Sequence, residues 1–262
     1  MTFEDVPGEV ASEEDIPKDH PRYQDLLTRY RIERGIELGI THLQGMHAEG
    51  RASAFDYLLG ERTIPSASEA TRAAVAHLLL AEQPVISVNG NVAALVPEAT
   101  ATLAALTDAA IEVNLFHRSE DRIQRIIDHL QAHGAGEVKG LTAEARLPGL
   151  SHDRARVAED GIFTADVVVV PLEDGDRAQA LEAMGKTEIV IDLNPLSRSP
   201  QAATVPIIDN IIRAFPNMIT EAKALSETPS DQLERITQEF DPEHALEEAE
   251  RAIRAGLREE SG

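Results

Sequence analysis

The sequence predicts an α/β fold, Rossmann-like, with a mostly parallel sheet flanked by helices and with helical N-terminal and C-terminal segments. Apolar runs rich in β-branched residues recur at Val85 to Val88, Ile111 to Arg118, Ala165 to Pro171 and Glu188 to Asp192, as expected of strands buried on both faces. Each run stops at a polar turn, and each turn leads into a stretch that suits a helix. Parallel strands joined by right-handed crossovers bring all those polar ends to one rim.

The chain has 262 residues and 42% hydrophobic content, enough for a substantial core. No segment approaches the roughly 20 consecutive apolar residues that span a bilayer, and the N-terminus is acidic where a signal peptide is basic. A soluble cytoplasmic protein with no membrane role is expected. Zero cysteines remove disulfides, thiolate metal sites and cysteine nucleophiles. The net charge of −22 comes from 46 acidic against 24 basic residues, with lysine only at positions 18, 139, 186 and 223. Nucleic-acid binding depends on phosphate contacts from Lys and Arg, so this balance argues against it. The composition is halophilic in type: molar salt, with a Debye length of about 3 Å, screens such self-repulsion.

Residues 1–16 are acid-rich and read as a flexible tail. Residues 17–262 read as one α/β domain, with a mainly helical lead-in over 17–82, the Rossmann-like core over 83–226 and C-terminal helices over 227–262. Two prolines, Pro17 and Pro21, lead into a helix from Tyr23 to about Leu38, closed by Gly39. Gly50 and Arg51 precede a short helix, and a glycine beside an arginine lets backbone and guanidinium approach one ligand. An Ala/Leu-rich helix covers Ser66 to Glu82. After the first strand, Asn89-Gly90-Asn91 reads either as a tight turn, Gly90 at positive φ and both Asn side chains capping, or as the wall of a site. A helix to about Leu106 follows. Ser119-Glu120-Asp121 caps the next helix, which runs to about Ala132. Its His129 and His133 have the spacing of a zinc pair, but the intervening residues lack the metalloprotease glutamate, so they read as surface histidines. Residues 137–162 show a short strand near Val138 and then an arginine-bearing loop with Arg146, Arg154 and Arg156. Glu173 to Arg177 turns into a helix ending at Gly185. A short strand from Ala203 feeds a helix at Asp209-Asn210, and an acidic cover helix follows Pro229.

No Gly-x-Gly-x-x-Gly turn, P-loop or Gly-x-Ser-x-Gly elbow is present, which disfavours dinucleotide oxidoreductase, P-loop ATPase and serine hydrolase. The shared rim carries Asn, Asp, Arg and helix N-termini, which suits phosphates with a carboxylate-held divalent metal.

Pro17-Lys18-Asp19-His20-Pro21-Arg22, Gly50-Arg51 with Ala54 to Glu61, Val85 to Pro97, Glu112 to Phe116, Val170 to Arg177 and Ile191 to Arg198 together resemble the archaeal 4-phosphopantoate–β-alanine ligase (phosphopantothenate synthetase) family. The resemblance runs from about Ile16 to the C-terminus. It implies an AMP-forming ligase of coenzyme A biosynthesis with ATP as co-substrate, Mg²⁺, 4-phosphopantoate and β-alanine as partners, and a homodimer. Carried over by motif, the ATP contacts are Arg29, with Arg31 and Arg34 as neighbouring alternatives, then Arg51, Asp192-Leu193-Asn194, Arg198-Ser199 and Asn210-Ile211. The catalytic candidates are Arg51, Asn89, Asn91, Asp176 and Arg177. Asn114, His117 and Arg118 are candidates for substrate, and Asp174 or Asp176 for metal. A non-catalytic nucleotide- or phosphosugar-binding module and an ADP-forming acid–amine ligase stand as alternatives.

Overall fold

The computed structural model describes residues 12–20, 22–172 and 175–259. Six strands form one parallel sheet: β1 (Pro84–Val88), β2 (Ala110–Val113), β3 (Val138–Lys139), β6 (Val167–Pro171), β7 (Thr187–Asp192) and β8 (Val205–Ile208). Their order, β3-β2-β1-β6-β7-β8, is that of a doubly wound dinucleotide-binding sheet when the six are counted in sequence. The order reverses between β1 and β6, where Val85 pairs with Val168. A two-stranded antiparallel ribbon, β4 (Ala145–Arg146) with β5 (Arg156–Val157), lies apart.

Alternation along the strands divides the core. Ile86, Val88, Ile111, Val113, Val169, Ile189 and Ile191 face one large cluster. It is closed by α1 (Tyr23–Glu37), α3 (Pro65–Leu80), α4 (Gly90–Leu95), α5 (Pro97–Thr107), α6 (Glu120–Ala132) and α9 (Ile211–Leu225). Val85, Val168, Val170 and Val190 face a smaller cluster under α7 (Gly175–Ala183), α8 (Arg198–Ala202) and the 145–165 segment, which supplies Leu147, Val157 and Ile162. The segment expected to be a loop is therefore the lid of a core. Its arginines divide accordingly: Arg154 is buried, whereas Arg146 and Arg156 are exposed.

Several expectations shift. The single helix expected after β1 breaks at Val96, because Pro97 has no N–H to donate and instead starts α5. β2 stops at Val113, and the Asn114 side chain turns to the neighbouring loop. The C-terminal cover is two helices, α10 (Ser230–Glu239) and α11 (Pro242–Glu259). Within the expected tail, residues 1–11 lie outside the described residues, while Glu13–Asp15 form a turn on α1 and Ile16 is buried. Arg51 sits inside α2 (Leu43–Leu59), not ahead of a helix, and a Cβ added to Gly50 would point into open space, so no close approach requires the glycine.

Candidate functional site at the carboxyl rim

Helix α2 is fastened over the carboxyl rim at both ends. At its start the Gly45 carbonyl accepts from Asn91 Nδ2 at 2.9 Å. At its end Asp56 accepts from Asn210 Nδ2 at 3.0 Å and from Arg213 at the first turn of α9. The helix thus runs from the end of β1 to the end of β8, with Arg51 midway and exposed. Asp25 of α1 joins it by taking Ser53 together with Arg22 and Arg29, the Arg29 contact measuring 2.9 Å.

At the switch point, Asn89 caps α4: its Oδ1 accepts from Asn91 N and Val92 N at 3.0 and 3.1 Å. Its Nδ2 donates to the Pro171 carbonyl at 3.0 Å, tying β1 to β6 where ligands bind in this class of sheet. Gly90 does not supply positive φ; a Cβ there would come within 2.6 Å of the Ile40 carbonyl, so the glycine serves close packing. Asn91 caps nothing. It is buried, accepting from Thr41 Oγ1 at 2.7 Å and holding α2 through Gly45.

The ends of β7 and β8 carry most of the motif-derived nucleotide contacts. Asp192 Oδ1 accepts from Leu193 N and Asn194 N at 2.7 and 3.2 Å, and Oδ2 accepts from Ser197 Oγ at 2.8 Å, which rigidifies the turn. Arg198, 65% exposed, pairs with Asp176 at the start of α7 at 2.7 Å, and a Cβ on Gly175 would collide with it. Ser199 is buried. Asn210 caps α9 through Oδ1, and Ile211 is in the main core, presenting only backbone at the rim. Burial pushes the Asp209 carboxyl up, and Arg213 and Thr63 Oγ1 oppose this. Sequence reasoning passed over Asp56 and Arg213; their signal is a charge of each sign within motif-bearing helices.

Beyond β2, Asn114 Nδ2 donates to the carbonyls of Arg154 and Arg156 at 3.3 and 3.0 Å. His117 lies 6.4 Å from His42 between ring centroids, and Phe116 stacks on His152. Burial, then the charges of Arg122 and His117, pull the His42 imidazole below its usual range. That keeps its Nδ1 free to cap α2 at Gln44 N. Arg118 is engaged by the Gly140 and Leu141 carbonyls. Arg177, expected on the rim, is instead fully buried under the sheet and donates to Ser87 Oγ at 3.0 Å. It follows the inward face of α7, so its charge steadies Glu112 and Glu188 on the neighbouring strands.

Asp174 lies outside the described residues. Among the described residues no group of three or more metal-ligating side chains forms. A magnesium nucleotide does not need one, since Mg²⁺ takes one or two carboxylates and fills the rest of its shell with phosphate oxygens and water. Asp176, exposed and paired at the surface with Arg198, fits that demand.

A parallel sheet in this order, with side-chain donors and helix N-termini gathered beside the switch point, places the chain among the open α/β proteins, a class whose ligands bind at the carboxyl edge. The chain belongs to the phosphopantothenate/pantothenate synthetase family, whose profile matches residues 66–256. It is 53% identical over 244 residues to the 4-phosphopantoate–β-alanine ligase of Methanosarcina mazei, covering 93% of this chain and 96% of the relative. The enzyme of the same name from Thermococcus onnurineus is 54% identical over 86% of this chain and 87% of its own length. That of Methanospirillum hungatei is 48% identical over 92% and 98%.

Proposed function

We propose that this chain is an ATP-dependent ligase that joins (R)-4-phosphopantoate to β-alanine, giving 4′-phosphopantothenate, AMP and diphosphate in coenzyme A biosynthesis. The observation that carries the reading is identity of 48% to 54% over most of the chain to relatives that share one name, 4-phosphopantoate–β-alanine ligase. A carboxylate is a poor acyl donor. Its oxygen therefore attacks the α-phosphorus of ATP and diphosphate leaves; the β-alanine amine then attacks the acyl carbon, loses a proton, and AMP departs with the electron pair.

Positioning and charge neutralisation suffice for both steps, so no side-chain nucleophile is needed. Arg29, Arg51 and Arg198, all exposed at or beside the rim, are the groups for the triphosphate. The Asp192-Leu193-Asn194 turn and the Asn210-Ile211 helix start hold the nucleoside end, with Ser199 beside them. His117 and Arg118 face the phosphopantoate phosphate, with Asn114 behind them. Magnesium, held by Asp176 or Asp174 with phosphate oxygens, supplies neutralisation of the triphosphate. The working unit is a cytoplasmic homodimer.

The decisive measurement is the nucleotide product. AMP formation that requires both phosphopantoate and β-alanine is expected; ADP overturns the adenylate route, and ATP binding without turnover reduces the chain to a nucleotide-binding module. Arg51→Ala should lower turnover by about 10²-fold or more, the scale of losing one transition-state charge contact, with an unchanged melting temperature because Arg51 is exposed.

A further inference from the structure

On the face of α1 turned away from Arg29, a cavity of about 510 Å³ opens between α1, the α4–α5 junction, the end of α6 and the start of α9. Apart from Arg31 and Arg34, the alternatives to Arg29 for the nucleotide, no residue given a rim role above lines it. Its volume falls in the range of small-molecule sites. The floor is aliphatic, with Leu27, Val96 and Ile212, and the polar wall carries Arg31, Arg34 and His133. Glu13 and Glu98 line it as well, and Arg34 is paired with Glu37, so Arg31 and His133 are the bases that face a ligand.

Arg31 is preset as a carboxylate fork. Its NH1 donates to the Leu95 carbonyl at 3.1 Å, one of the acceptors the end of α4 leaves over, which fixes the plane of the guanidinium. The opposite edge, Nε and NH2, holds the two oxygens of Glu13 at 2.8 and 3.3 Å. Glu13 belongs to the acidic N-terminal segment, so the mouth of the cavity already contains an anion supplied by the chain itself. His133 Nδ1 donates to the His129 carbonyl at 2.7 Å, so Nε2 holds the lone pair in the neutral ring and donates to an anion once the ring takes up a proton.

We propose that this cavity is a second binding site for a small aliphatic anion, with a carboxylate or phosphate head on Arg31 and His133 and an apolar body on Leu27, Val96 and Ile212. Glu13 is its built-in competitor. The Glu13–Arg31 pair is half in water, 46% and 33% exposed on its two sides, and such pairs are weak, so displacing Glu13 costs a ligand at most about fivefold in affinity.

The test uses the full chain with isovalerate as the carboxylate probe and butyl phosphate as the phosphate probe, followed by histidine-ring NMR and calorimetry at one salt concentration. At least one probe should shift the His129 and His133 resonances and leave His20 and His244 in place. The tighter probe identifies the head group. Glu13→Gln should bind that probe roughly two- to fivefold more tightly, since the competing charge is gone. Arg31→Gln should weaken it at least about tenfold, the scale of a lost charge-assisted fork. Absence of shifts at both histidines with either probe overturns the proposal, as does a Glu13→Gln affinity equal to wild type. The glutamate substitution lies at the surface and decides the matter even if the arginine variant fails to fold.

Discussion

Glu188 is a carboxylate in the wrong medium. It sits on β7 facing the smaller core, 1% exposed, and among the described residues neither of its oxygens has a hydrogen-bond partner. Burial pushes its carboxyl up to about 7; the Arg177 charge pulls it down and Glu182 adds to the rise. The folded form thus holds a proton that the unfolded chain releases near the ordinary 4.5. Stability is full below that lower value, falls as pH rises towards about 7, and is flat above. Roughly 3 kcal/mol is at stake across that window, at 1.4 kcal/mol per pH unit. Glu188→Gln, which cannot ionise, should match wild type near pH 4, below the unfolded value, and exceed it by roughly 1–3 kcal/mol at pH 8 in urea titrations. Identical pH slopes for the two proteins would show that Glu188 is not the group responsible. A strand interior holding one glutamate among Ile and Val is visible in the sequence, yet whether an arginine reaches it is not, because Arg177 lies on the preceding helix and meets that strand only in space. The same gap explains why Arg177 read as a rim residue: the turn it follows is at the rim, and helical rotation then carries its side chain beneath the sheet.

The strap α2 is the element on which the rim depends, and it is the one least legible in the sequence. Its apolar residues make no continuous stripe: Ala52 and Leu59 are buried, whereas Leu43 and Met46 are exposed. Its start at Leu43, capped by His42, carries neither Ser, Thr, Asp nor Asn at the cap. By contrast the buried strands, the Ser119 cap and the helix start at Asn210 all express local rules and were readable. Asn89 was legible as a cap for the same reason, while its bond to Pro171 spans 82 positions and was not. Fastening of α2 at its C-terminal end rests on Asp56, whose carboxylate takes Asn210 and Arg213 in a nearly dry setting. Asp56→Ala leaves Arg213 and the Asn210 amide short of an acceptor and should cost roughly 2–4 kcal/mol. Because Arg51 rides on the same helix, the KM for ATP should rise in that variant while Asp56→Asn, which keeps an acceptor for Asn210, shows a smaller rise. Equal KM values in wild type and Asp56→Ala would mean that α2 holds its place without this anchor.

At the scale of the whole molecule, charge and fold pull in opposite directions. The doubly wound order follows from buried parallel strands and short right-handed connections, and none of it requires a net charge of −22. Apart from a buried few such as Glu112, Glu188 and Asp209, the acids are carried outside, many on α10 and α11, whose ion pairs such as Arg251 with Glu248 and Arg254 with Glu250 lie at the surface. Salt weakens those pairs, but each is worth at most about 1 kcal/mol, and acids outnumber bases by 46 to 24. The repulsion among the unmatched carboxylates is the larger quantity, and screening relieves it as the Debye length falls from about 10 Å at 0.1 M to about 3 Å at 1 M. Raising KCl from about 0.1 M to about 2 M should therefore raise the melting temperature, by about 10 °C if roughly 3 kcal/mol is recovered at 2–4 °C per kcal/mol. Chloride rather than sulfate is the anion to use, because sulfate also strengthens apolar burial. A melting temperature that stays level or falls over this range would mean that the acidic surface carries no such repulsion. The rise should be steepest below about 0.5 M, where the Debye length still exceeds the spacing of neighbouring side chains, and a rise confined to higher salt would point instead to preferential exclusion of the salt from the protein surface.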